Sequence, residues 1–515
     1  MLKRLNRQLL KRAELPKDVI VECQTDLPER VIQFGEGNFL RGFVDWMIHQ
    51  LNRAGKFSGR IVAVQPTPFG KVVPKLNKQD GLYTVVLRGV VNGDVVETYE
   101  IISSVSRGVN PYTDWQEVLK VAENKEAQFV FSNTTEAGLT YLREDYREGS
   151  SPQSFPGKLT AFLYHRYRAF DGDPEAGMTV IPCELVEDNG DTLRDIVLQI
   201  AQDWNFPEDF IHWIQAHNRF CNTLVDRIVT GYPDDAAVLH ERLGYYDELL
   251  TVGEPYHLFA IDADGPVQQA LPFHEIGLNV SWGAFDVLRD LKVRILNGAH
   301  TMMFAVGYLS GANTVRDVMD DDLLKQFVRQ GIYEEVLPSL NIEAERKTSF
   351  ADTVLERFSN PFNAHFLVDI GMNATNKFRT RLLPTLADWV RHRNTLPDVT
   401  VFSLAALIAY YHPVRLEEAH LIGSRGEEEY RIRDGGEVIR FFYNVWEDYK
   451  NGKTDLSLFV QKVLGNRTVW GTDLNELPGL SQAVHDNLRK IERTGVKQAV
   501  KQIIEEKGNG TTWTS

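Results

Sequence analysis

The sequence predicts an α/β domain followed by a mostly α-helical domain. Up to about residue 280, short apolar stretches end in glycine-rich or polar turns and alternate with helical patterns, as in a sheet with helices packed against it. From Lys292 to Lys507, apolar residues recur mainly at spacings of three and four, which is typical of amphipathic helices. We therefore place the first domain at residues 1–284 and the second at residues 285–515.

The composition is that of an ordinary globular protein and disfavours several classes of partner. The 515 residues, 43% of them hydrophobic, suffice for two domains with full cores. A net charge of −15 disfavours nucleic acid, which requires a basic surface. The three cysteines form no Cys-x-x-Cys pair, so we expect no disulfide or thiolate zinc site, and a cytoplasmic location fits. No apolar run approaches the roughly 18 residues of a membrane span, so we expect no membrane partner.

A glycine turn follows the first strand of the α/β domain. The apolar stretch Val31–Phe34 runs into Gly35-x-Gly37, and a helical pattern comes next. Glycines at this point let the backbone approach a pyrophosphate, to which the new helix offers its N–H groups. Leu40 takes the place of the usual third glycine, so a plain strand–turn–helix explains these residues about as well. The candidate cofactor contacts in this stretch are Phe34, Gly35, Glu36, Gly37, Asn38, Phe39 and Arg41.

The second strand, Ile61–Val64, ends at Gln65-Pro66. A carboxylate usually stands at this position and holds the ribose hydroxyls of the adenosine. Because it is missing here, the residues alone leave the choice between NAD and NADP open. The absence of arginine between Gln65 and Tyr83 favours NAD slightly, because an arginine usually accommodates the 2′-phosphate of NADP.

A β-hairpin and a helix come next. Thr84–Val90 and Val95–Ile102 are rich in β-branched residues and are joined through Asn92-Gly93, which tolerates the positive φ angles of a tight turn. Thr113-x-x-Gln116 resembles a capping box that opens a helix. Further helices are predicted at residues 156–167, 191–204 and 207–217, and further strands at residues 222–228, 256–261 and 278–281.

Polar residues follow two later strands. Gln128–Ser132 leads into Asn133-Thr-Thr-Glu136, and Met178–Cys183 leads towards Asn189. Since α/β sheets bind their ligands at the carboxyl ends of strands, Glu136 is a candidate cofactor contact and Asn189 a candidate substrate donor. An N-cap cluster explains the first group equally well, and a simple turn residue is the default interpretation of Asn189.

The stretch Leu291–His300 carries the strongest candidates for chemistry. It places an amine, a carboxamide and an imidazole at Lys292, Asn297 and His300. On an α-helix with about 100° per residue, Asn297 and His300 lie about 140° and about 80° from Lys292, so all three can reach one cleft. A buried lysine can exchange the proton of a secondary alcohol during hydride transfer, while two donors stabilise the oxygen. Taken alone, the motif fits a surface lysine with helix-capping neighbours better.

Two other motifs are predicted to be structural. Tyr449-x-x-x-Lys453 has the spacing of a catalytic tyrosine–lysine pair, but it lies beside Asn451-Gly452, where a helix should end. A second group offers imidazoles and carboxylates but matches no compact zinc motif, so we expect a charged surface and no metal. It comprises His412, Glu417, Glu418 and His420.

Several segments match a known family in the same order along the chain. They are Gly35–Gly42, Asp80–Thr84, Thr135–Gly138, Asn222–Ile228 and the Lys292, Asn297 and His300 motif. On these segments the chain resembles, over nearly its whole length, the long-chain polyol dehydrogenases of the mannitol dehydrogenase family. The resemblance implies a Rossmann-type N-terminal domain, an α-helical C-terminal domain and metal-independent, NAD-linked redox chemistry. It makes Lys292 the general acid/base, Asn297 and His300 carbonyl polarisers, Asn189 a further donor, and Glu136 a carboxylate near the cofactor.

Within the family, the resemblance is to the branch that interconverts D-tagaturonate and D-altronate. Ile181-Pro-Cys-Glu-Leu185 and Lys377-Phe-Arg-Thr-Arg381 point to it. The mannitol and fructuronate branches tend to have Cys-Asp-Asn at residues 183–185 and arginine in place of Asp369. The alternatives are the same chemistry on fructuronate or fructose and, from another class, a catalytically silent sensor of nucleotide and sugar acid.

A hexuronate substrate carries a carboxylate, so its site should offer a cation or oriented donors. Lys377, His365 and Arg381 lie in the segment where the family gathers its substrate contacts. We expect only one or two of them to face the ligand, and we prefer them in that order. The predicted partner is therefore a small sugar acid.

Overall fold

The computed structural model describes residues 2–12, 15–283, 285–362, 364–418 and 420–508, except for the side chains of Glu136 and of residues 506–508. The chain divides into two compact units, Met1–Leu288 and Arg289–Ser515, whereas the sequence pattern placed the boundary between residues 284 and 285. Within the described ranges, no helix is long and apolar enough to cross a membrane.

The first unit mixes strands and helices. Its strands are β1 (Val19–Ile20), β2 (Glu29–Phe34), β3 (Arg60–Val64), β4 (Tyr83–Val91), β5 (Asp94–Ile102), β6 (Val105–Val109), β7 (Phe129–Ser132), β8 (Thr179–Pro182), β9 (Arg219–Phe220), β10 (Thr223–Asp226), β11 (Val229–Gly231), β12 (Thr251–Gly253), β13 (Leu258–Ile261) and β14 (Val280–Trp282). Its helices are α1 (Arg7–Arg12), α2 (Asn38–Arg41), α3 (Val44–Arg53), α4 (Val72–Lys78), α5 (Trp115–Ala122), α6 (Phe155–Ala169), α7 (Asn189–Asp203), α8 (Glu208–His217), α9 (Ala236–Leu243), α10 (Gly265–Ala270) and α11 (Phe285–Asp290), which ends just beyond the unit boundary. Short 3₁₀ turns lie at Glu136–Gly138, Pro174–Ala176 and Phe273–Ile276.

A parallel sheet with the strand order β6-β3-β2-β7-β8-β9 organises the first unit. This is the order of the dinucleotide-binding α/β fold, in which the direction of winding reverses between β2 and β7. Phe34 pairs with both Val64 and Ser132, and Ser132 pairs with Pro182, so the carboxyl ends of β2, β3, β7 and β8 are level. The turns after these strands therefore lie along one edge of the sheet, and the predicted α/β fold is confirmed.

Both faces of this sheet are buried, which explains why its strands read as continuous apolar runs instead of alternating patterns. Ile32 and Val130 belong to the apolar core on one face, and Val31 and Phe129 belong to the core on the other. A second sheet has the order β1-β5-β4-β12-β11, and a third the order β10-β13-β14.

The predicted hairpin is confirmed, whereas the predicted capping box is wrong. β4 and β5 pair antiparallel, and Asn92 and Gly93 take the expected positive φ angles of 54° and 83°. Helix α5 begins at Trp115 after Asp114, and Asp114 makes no side-chain capping hydrogen bond. Gln116 is thus the second residue of the helix, one position too early to close a capping box with Thr113.

The second unit is mostly helical, as predicted. Its helices are α12 (Gly298–Leu309), α13 (Val315–Asp320), α14 (Asp322–Gln330), α15 (Leu337–Ser339), α16 (Ala344–Phe358), α17 (Leu367–Ile370), α18 (Ala374–Arg381), α19 (Leu383–Arg393), α20 (Asp398–Tyr410), α21 (Gly436–Lys450), α22 (Leu456–Leu464), α23 (Arg467–Trp470), α24 (Leu480–Thr494) and α25 (Val496–Gly508). π-helical turns occupy Leu291–Asn297 and Gly331–Val336, and a 3₁₀ turn occupies Leu474–Glu476. The strands β15 (Arg415–Glu417), β16 (His420–Arg425) and β17 (Glu428–Ile432) form an antiparallel sheet that the helical pattern did not predict.

Helix α20 lies in the core of the second unit and packs against α12. Its first turn is capped from outside the helix, because the fully buried carboxylate of Glu335 accepts hydrogen bonds from the N–H groups of Val399 and Thr400, both at 2.8 Å. Glu335 comes from the second π-helical turn. A buried carboxylate is thus satisfied by N–H groups that the start of a helix leaves without partners.

Candidate active site

The glycine turn after β2 combines one glycine that the fold requires with one that it does not. Gly35 has a φ of +123°, and a Cβ there would lie 2.9 Å from the carbonyl oxygen of Asn133 in the turn after β7. Gly37 has an ordinary φ of −68°, and a Cβ there would meet no atom within 4 Å. The first glycine allows the turn itself. The second leaves the face of the turn open, which fits close approach of a pyrophosphate.

The predicted helix after the glycine turn is present but interrupted, and the helical pattern of the sequence did not indicate the break. Helix α2 spans only Asn38–Arg41, and α3 starts at Val44 after a break at Gly42-Phe43. A Cβ on Gly42 would lie 2.9 Å from Cγ1 of Val229 in β11. Gly42 therefore allows the helix break to pack closely on a strand, which is the part that the third glycine of the usual fingerprint plays.

Arg41 holds the glycine turn from inside. Its guanidinium is buried and donates hydrogen bonds to the Glu36 carbonyl, to Oδ1 of Asn38 at 2.6 Å and to Oγ1 of Thr251 at 3.1 Å. Burial lowers the pKa of this guanidinium. With its donors used by the protein, Arg41 is a positioning residue for the turn.

Of the other candidates in this stretch, two aromatic side chains pack within the protein. Phe34 is buried with its ring centroid 5.2 Å from that of Phe155, and Phe39 stacks on Phe43 at 4.9 Å. Glu36 is 6% exposed, and burial raises the pKa of its carboxyl to about 7. The turn thus holds an acid that is close to half-protonated at neutral pH.

Gln65 takes the place of the missing acid at the end of β3. Its side chain is buried, and its amide N–H group donates to the carbonyl of Thr67 at 2.6 Å. Its Oε1 atom finds no hydrogen-bond donor among the residues that the structure describes. A neutral acceptor therefore stands where the adenosine ribose of a dinucleotide would lie.

Glu184 ties together the ends of β7 and β8. Its buried carboxylate accepts hydrogen bonds from Oγ of Ser132 at 2.9 Å and from N and Oγ1 of Thr134 at 2.9 and 3.1 Å. Burial raises the pKa of Glu184, and these hydrogen bonds oppose the rise.

Thr135, the next residue after Thr134, has a φ of 71°, which is a strained conformation for a β-branched residue and one that recurs at functional sites. The side chain of the next residue, Glu136, lies outside the described part of the structure.

Asn189, the further donor that the resemblance implies, has hydrogen-bond partners within the protein. It is the first residue of α7 and is 1% exposed. Its amide group donates to the Glu184 carbonyl at 3.0 Å and to Oγ1 of Thr223 at 3.0 Å, and its oxygen accepts from the Thr223 N–H at 2.8 Å. Because both ends of the amide already have protein partners, the structure makes Asn189 a positioning residue for the ends of β8 and β10.

In the second unit, a π-helical turn aligns the three candidates for chemistry. Lys292 and Asn297 both lie in the turn Leu291–Asn297, and His300 lies in the first turn of α12. Bonding from i to i+5 gives between four and five residues per turn, or about 80° per residue, which brings Asn297 to about 40° from Lys292. Three α-helical residues further, His300 falls about 20° to the other side. The alignment is thus closer than the one an ideal α-helix predicts.

The neighbouring arginine of this turn has a structural role. Arg294 donates to Oγ1 of Thr385 at 2.9 Å and pairs with Asp388 at 3.2 Å.

Lys292 is 8% exposed and His300 is 9% exposed. The lysine is therefore buried, and the alternative of a surface lysine does not hold.

His300 lies among aromatic and cationic side chains. Its ring centroid is 4.6 Å from that of Phe358 and 4.8 Å from that of His365. Burial lowers the pKa of His300 well below its usual value, and the charges of Arg357, Arg381 and Lys377 act in the same direction. The imidazole is therefore neutral near pH 7, in which form one ring nitrogen still donates a hydrogen bond.

The three substrate candidates of the sequence thus gather around one imidazole. Nη1 of Arg381 is 3.4 Å from Oγ1 of Thr301, next to His300. Nζ of Lys377 donates to the carbonyl of Ile370 at 2.9 Å, and burial lowers the pKa of Lys377 to about 8. Sequence reasoning missed a further cation whose charge acts on His300, Arg357. No local pattern marks it, because it lies near the end of an amphipathic helix where arginines are common.

The two motifs set aside from the sequence have ordinary surroundings. Helix α21 ends at Lys450, as predicted, and Tyr449 hydrogen-bonds to Glu492 at 3.3 Å, whereas Lys453 pairs with Asp448 at 3.3 Å. Among the described residues, no group of three or more His, Cys, Asp or Glu side chains is placed to hold a metal ion.

Comparisons with known proteins cover most of both units. The mannitol dehydrogenase Rossmann domain matches residues 29–274, and the mannitol dehydrogenase C-terminal domain matches residues 286–492. Two solved structures share the fold. Pseudomonas fluorescens mannitol 2-dehydrogenase, in complex with NAD and D-mannitol, has a TM-score of 0.73 at 22% identity, covering 98% of this chain and 100% of its own. A substrate-free D-sorbitol dehydrogenase has a TM-score of 0.77 at 20% identity, covering 97% of this chain and 100% of its own.

Relatives with much higher sequence identity carry a single name. Altronate oxidoreductase of Halalkalibacterium halodurans is 51% identical over 96% of both chains. Altronate oxidoreductase of Bacillus subtilis is 42% identical over 94% of this chain and 97% of its own. The chain therefore belongs to the mannitol dehydrogenase family, in which its 41–51% identical relatives are altronate oxidoreductases.

Proposed function

We propose that this protein is an NAD-dependent oxidoreductase that interconverts D-tagaturonate and D-altronate, with Lys292 as the general acid/base. The observation that carries this proposal is the π-helical turn, which aligns a buried amine with an amide and an imidazole. The identity of 41–51% to altronate oxidoreductases supports the substrate. The free cysteines Cys23, Cys183 and Cys221 agree with a location in the cytoplasm.

The side chains of the trio have complementary tasks in this reaction. When bound, the nicotinamide supplies the hydride for ketone reduction or accepts it from the alcohol. In the reductive direction, the ammonium group of Lys292 gives its proton to the ketone oxygen as that oxygen gains charge. Asn297 and the neutral His300 donate hydrogen bonds to the same oxygen. Because His300 stays neutral, it does not compete with Lys292 for the proton.

The first unit supports NAD as the cofactor. The open face of Gly37 and the N–H groups of the turn fit the pyrophosphate. The neutral Gln65 takes the place of the usual ribose-binding carboxylate, and no arginine stands between Gln65 and Tyr83 to pair with a 2′-phosphate. We place Glu136 near the cofactor as the family resemblance implies.

The cations around His300 support a carboxylate-bearing substrate. Lys377, His365 and Arg381 are the substrate contacts that we propose from the sequence, and the charges of Lys377 and Arg381 act on His300. Burial lowers the pKa of His365, so near pH 7 its neutral ring would act as a hydrogen-bond donor. A neutral polyol has no group that would need this charge. The alternative substrates are fructuronate and fructose, and the alternative of another class is a silent sensor.

One assay separates these possibilities. Purified protein with NADH is challenged in parallel with D-tagaturonate, D-fructuronate and D-fructose, and the absorbance of NADH is followed. We expect the highest kcat/KM for D-tagaturonate. A higher kcat/KM for either of the other sugars would replace the substrate that we propose, and no turnover with any of them would favour the sensor.

The acid in the glycine turn should make cofactor binding depend on pH. Because burial raises the pKa of Glu36 to about 7, the carboxyl is mostly neutral below that pH and mostly ionised above it. An ionised Glu36 repels the pyrophosphate, so we expect the affinity for NADH to fall as the pH rises from about 6 to about 8. If the bound cofactor raises the pKa by about one more unit, the fall is roughly fivefold between pH 6 and pH 8 and approaches tenfold only at higher pH.

The measurement is the Kd of NADH, obtained by fluorescence titration across this pH range. The Glu36→Gln variant keeps the shape of the side chain and removes its charge, so its affinity should be nearly independent of pH. An equal slope in the variant and in the unchanged protein would assign the pH dependence to another group.

A further inference from the structure

The connection between β17 and α21 caps helix α18 from outside the helix. In this connection, the carboxylate of Asp434 accepts hydrogen bonds from the N–H group of Thr375 at 3.3 Å and from its hydroxyl at 2.9 Å. Thr375 is the second residue of α18, whose own N-cap residue, Asn373, makes no side-chain capping hydrogen bond. The buried hydroxyl of Tyr411, just after α20, donates to the same carboxylate oxygen. Asp434 therefore satisfies the start of a helix and adds a negative charge where the helix dipole favours one.

The same connection also holds helix α17. Arg433 donates to Oδ1 of Asp369 at 2.9 Å, and its carbonyl accepts from the N–H group of Asn373 at 2.8 Å. Lys377, one turn into α18, donates in turn to the carbonyl of Ile370 at the end of α17, at 2.9 Å. These links fix the corner between two short helices, and Lys377 lies in that corner.

Lys377 lies among charges of both signs. Burial is the main cause that lowers its pKa to about 8, and the charges of Arg381 and Arg433 act in the same direction. The carboxylates of Asp434 and Asp369 oppose the fall, and Asp434 has the larger effect of the two. An amine that is half neutralised near pH 8 responds strongly to each neighbouring charge. Further titratable groups around it are the imidazoles of His300 and His365, and the amine of Lys292 in the π-helical turn that packs against α18.

We propose that Asp434 is a positioning residue for substrate binding, which fixes the start of α18 and preserves the positive charge of Lys377 for the carboxylate of a sugar acid. This inference rests on the proposed function, in which Lys377 contacts the substrate. An ammonium group has three N–H donors, and one of them goes to the Ile370 carbonyl. Lys377 can therefore hold the corner between the helices and a ligand oxygen at the same time.

The test is the pH dependence of kcat/KM for D-tagaturonate in Asp434→Asn, which keeps the size of the side chain and removes its charge. Lys377 should then lose its proton at a lower pH. If its pKa falls by about one unit, kcat/KM relative to the unchanged protein should fall roughly fivefold at pH 8 and hardly at all at pH 6. The loss should lie in KM, because a substrate contact is weakened while Lys292 and His300 are untouched. Taking the ratio of the two proteins at each pH removes the titrations that they share.

Controls separate the charge of Asp434 from its hydrogen bonds. Glu437→Gln removes an exposed carboxylate from the first turn of α21 and should leave the ratio at one throughout. Thr375→Val removes a donor to Asp434 but leaves both charges, so any loss should be the same at every pH. In a Lys377→Met background, Asp434→Asn should have no pH-dependent effect. If Asp434→Asn fails to fold, Asp434→Ser, whose hydroxyl can still cap α18 without a charge, decides the question.

Three results would overturn the inference. They are unchanged kinetics in Asp434→Asn, a loss that is equal at pH 6 and pH 8, and a pH-dependent loss that persists in the Lys377→Met background. The second result would leave Asp434 a purely structural role, and the third would assign the titration to another group. Failure of the proposed function is distinct, because the unchanged protein would then fail to prefer D-tagaturonate, or Lys377→Met alone would leave its KM unaltered.

Discussion

Replacement of Lys292 by alanine is expected to lower kcat for D-tagaturonate reduction by roughly 10²- to 10⁴-fold, the usual contribution of a general acid–base group. Lys292 is buried in the π-helical turn of the second unit, and no other group in that turn supplies a proton in our scheme. The glycine turn that we propose for the pyrophosphate belongs to the first unit. We therefore expect the Kd of NADH to change by no more than about twofold.

Stopped-flow measurement of NADH oxidation in a single turnover, with NADH binding followed by fluorescence, separates the two effects. Added primary amines should restore part of the lost rate, because they can enter the space that the lysine side chain leaves. Lys325→Ala, on the exposed side of α14, is the matched control and should retain full turnover. Near-normal turnover in Lys292→Ala would remove Lys292 from the mechanism.

Replacement of Gly37 by alanine is expected to weaken NADH binding roughly tenfold or more, which corresponds to at least about 1.4 kcal/mol, with little loss of stability. The φ of −68° and ψ of 173° at this residue suit alanine, and its Cβ would meet no protein atom within 4 Å. The protein alone should therefore tolerate the methyl group. Only a ligand that approaches the backbone at this point would be displaced by it.

The measurements are the Tm and the Kd of NADH, compared with those of two further variants. Gly35→Ala should lose stability as well as binding, because its φ is +123° and its Cβ would lie 2.9 Å from the Asn133 oxygen. Gly265→Ala, at another open position without a positive φ, should change neither quantity. Unchanged NADH binding in Gly37→Ala would place the pyrophosphate elsewhere.

Local patterns were sufficient to predict much of the first unit. The apolar run before Gly35 and the hairpin turn at Asn92-Gly93 depend on backbone preferences that a few residues carry by themselves. The break in the helix after the glycine turn was not predictable in this way. It depends on the close packing of Gly42 against Val229, which lies almost two hundred positions further along the chain.

The candidate site shows the same division between local and distant causes. The residue types at Lys292, Asn297 and His300 indicated the chemistry, but their alignment depends on the π-helical turn, which has no signature in the spacing of apolar residues. Arg357 escaped notice because only the packing of α16 against that turn brings it near His300. Sequence spacing likewise could not tell that the amide of Asn189 already has protein partners on both ends.

The π-helical turn at Leu291–Asn297 can be regarded as an α-helix that has gained one extra residue. Deleting a single position between 293 and 296 would let the ordinary ladder close, and Lys292 would keep its direction relative to Asn297, because four residues at about 100° cover the same angle as five at about 80°. If the undeleted segment instead wound as an ordinary α-helix, Lys292 would turn about 100° away from Asn297 although every chemical group was still encoded. The widened backbone turn is therefore as much a part of the active site as the identities of the residues at its ends.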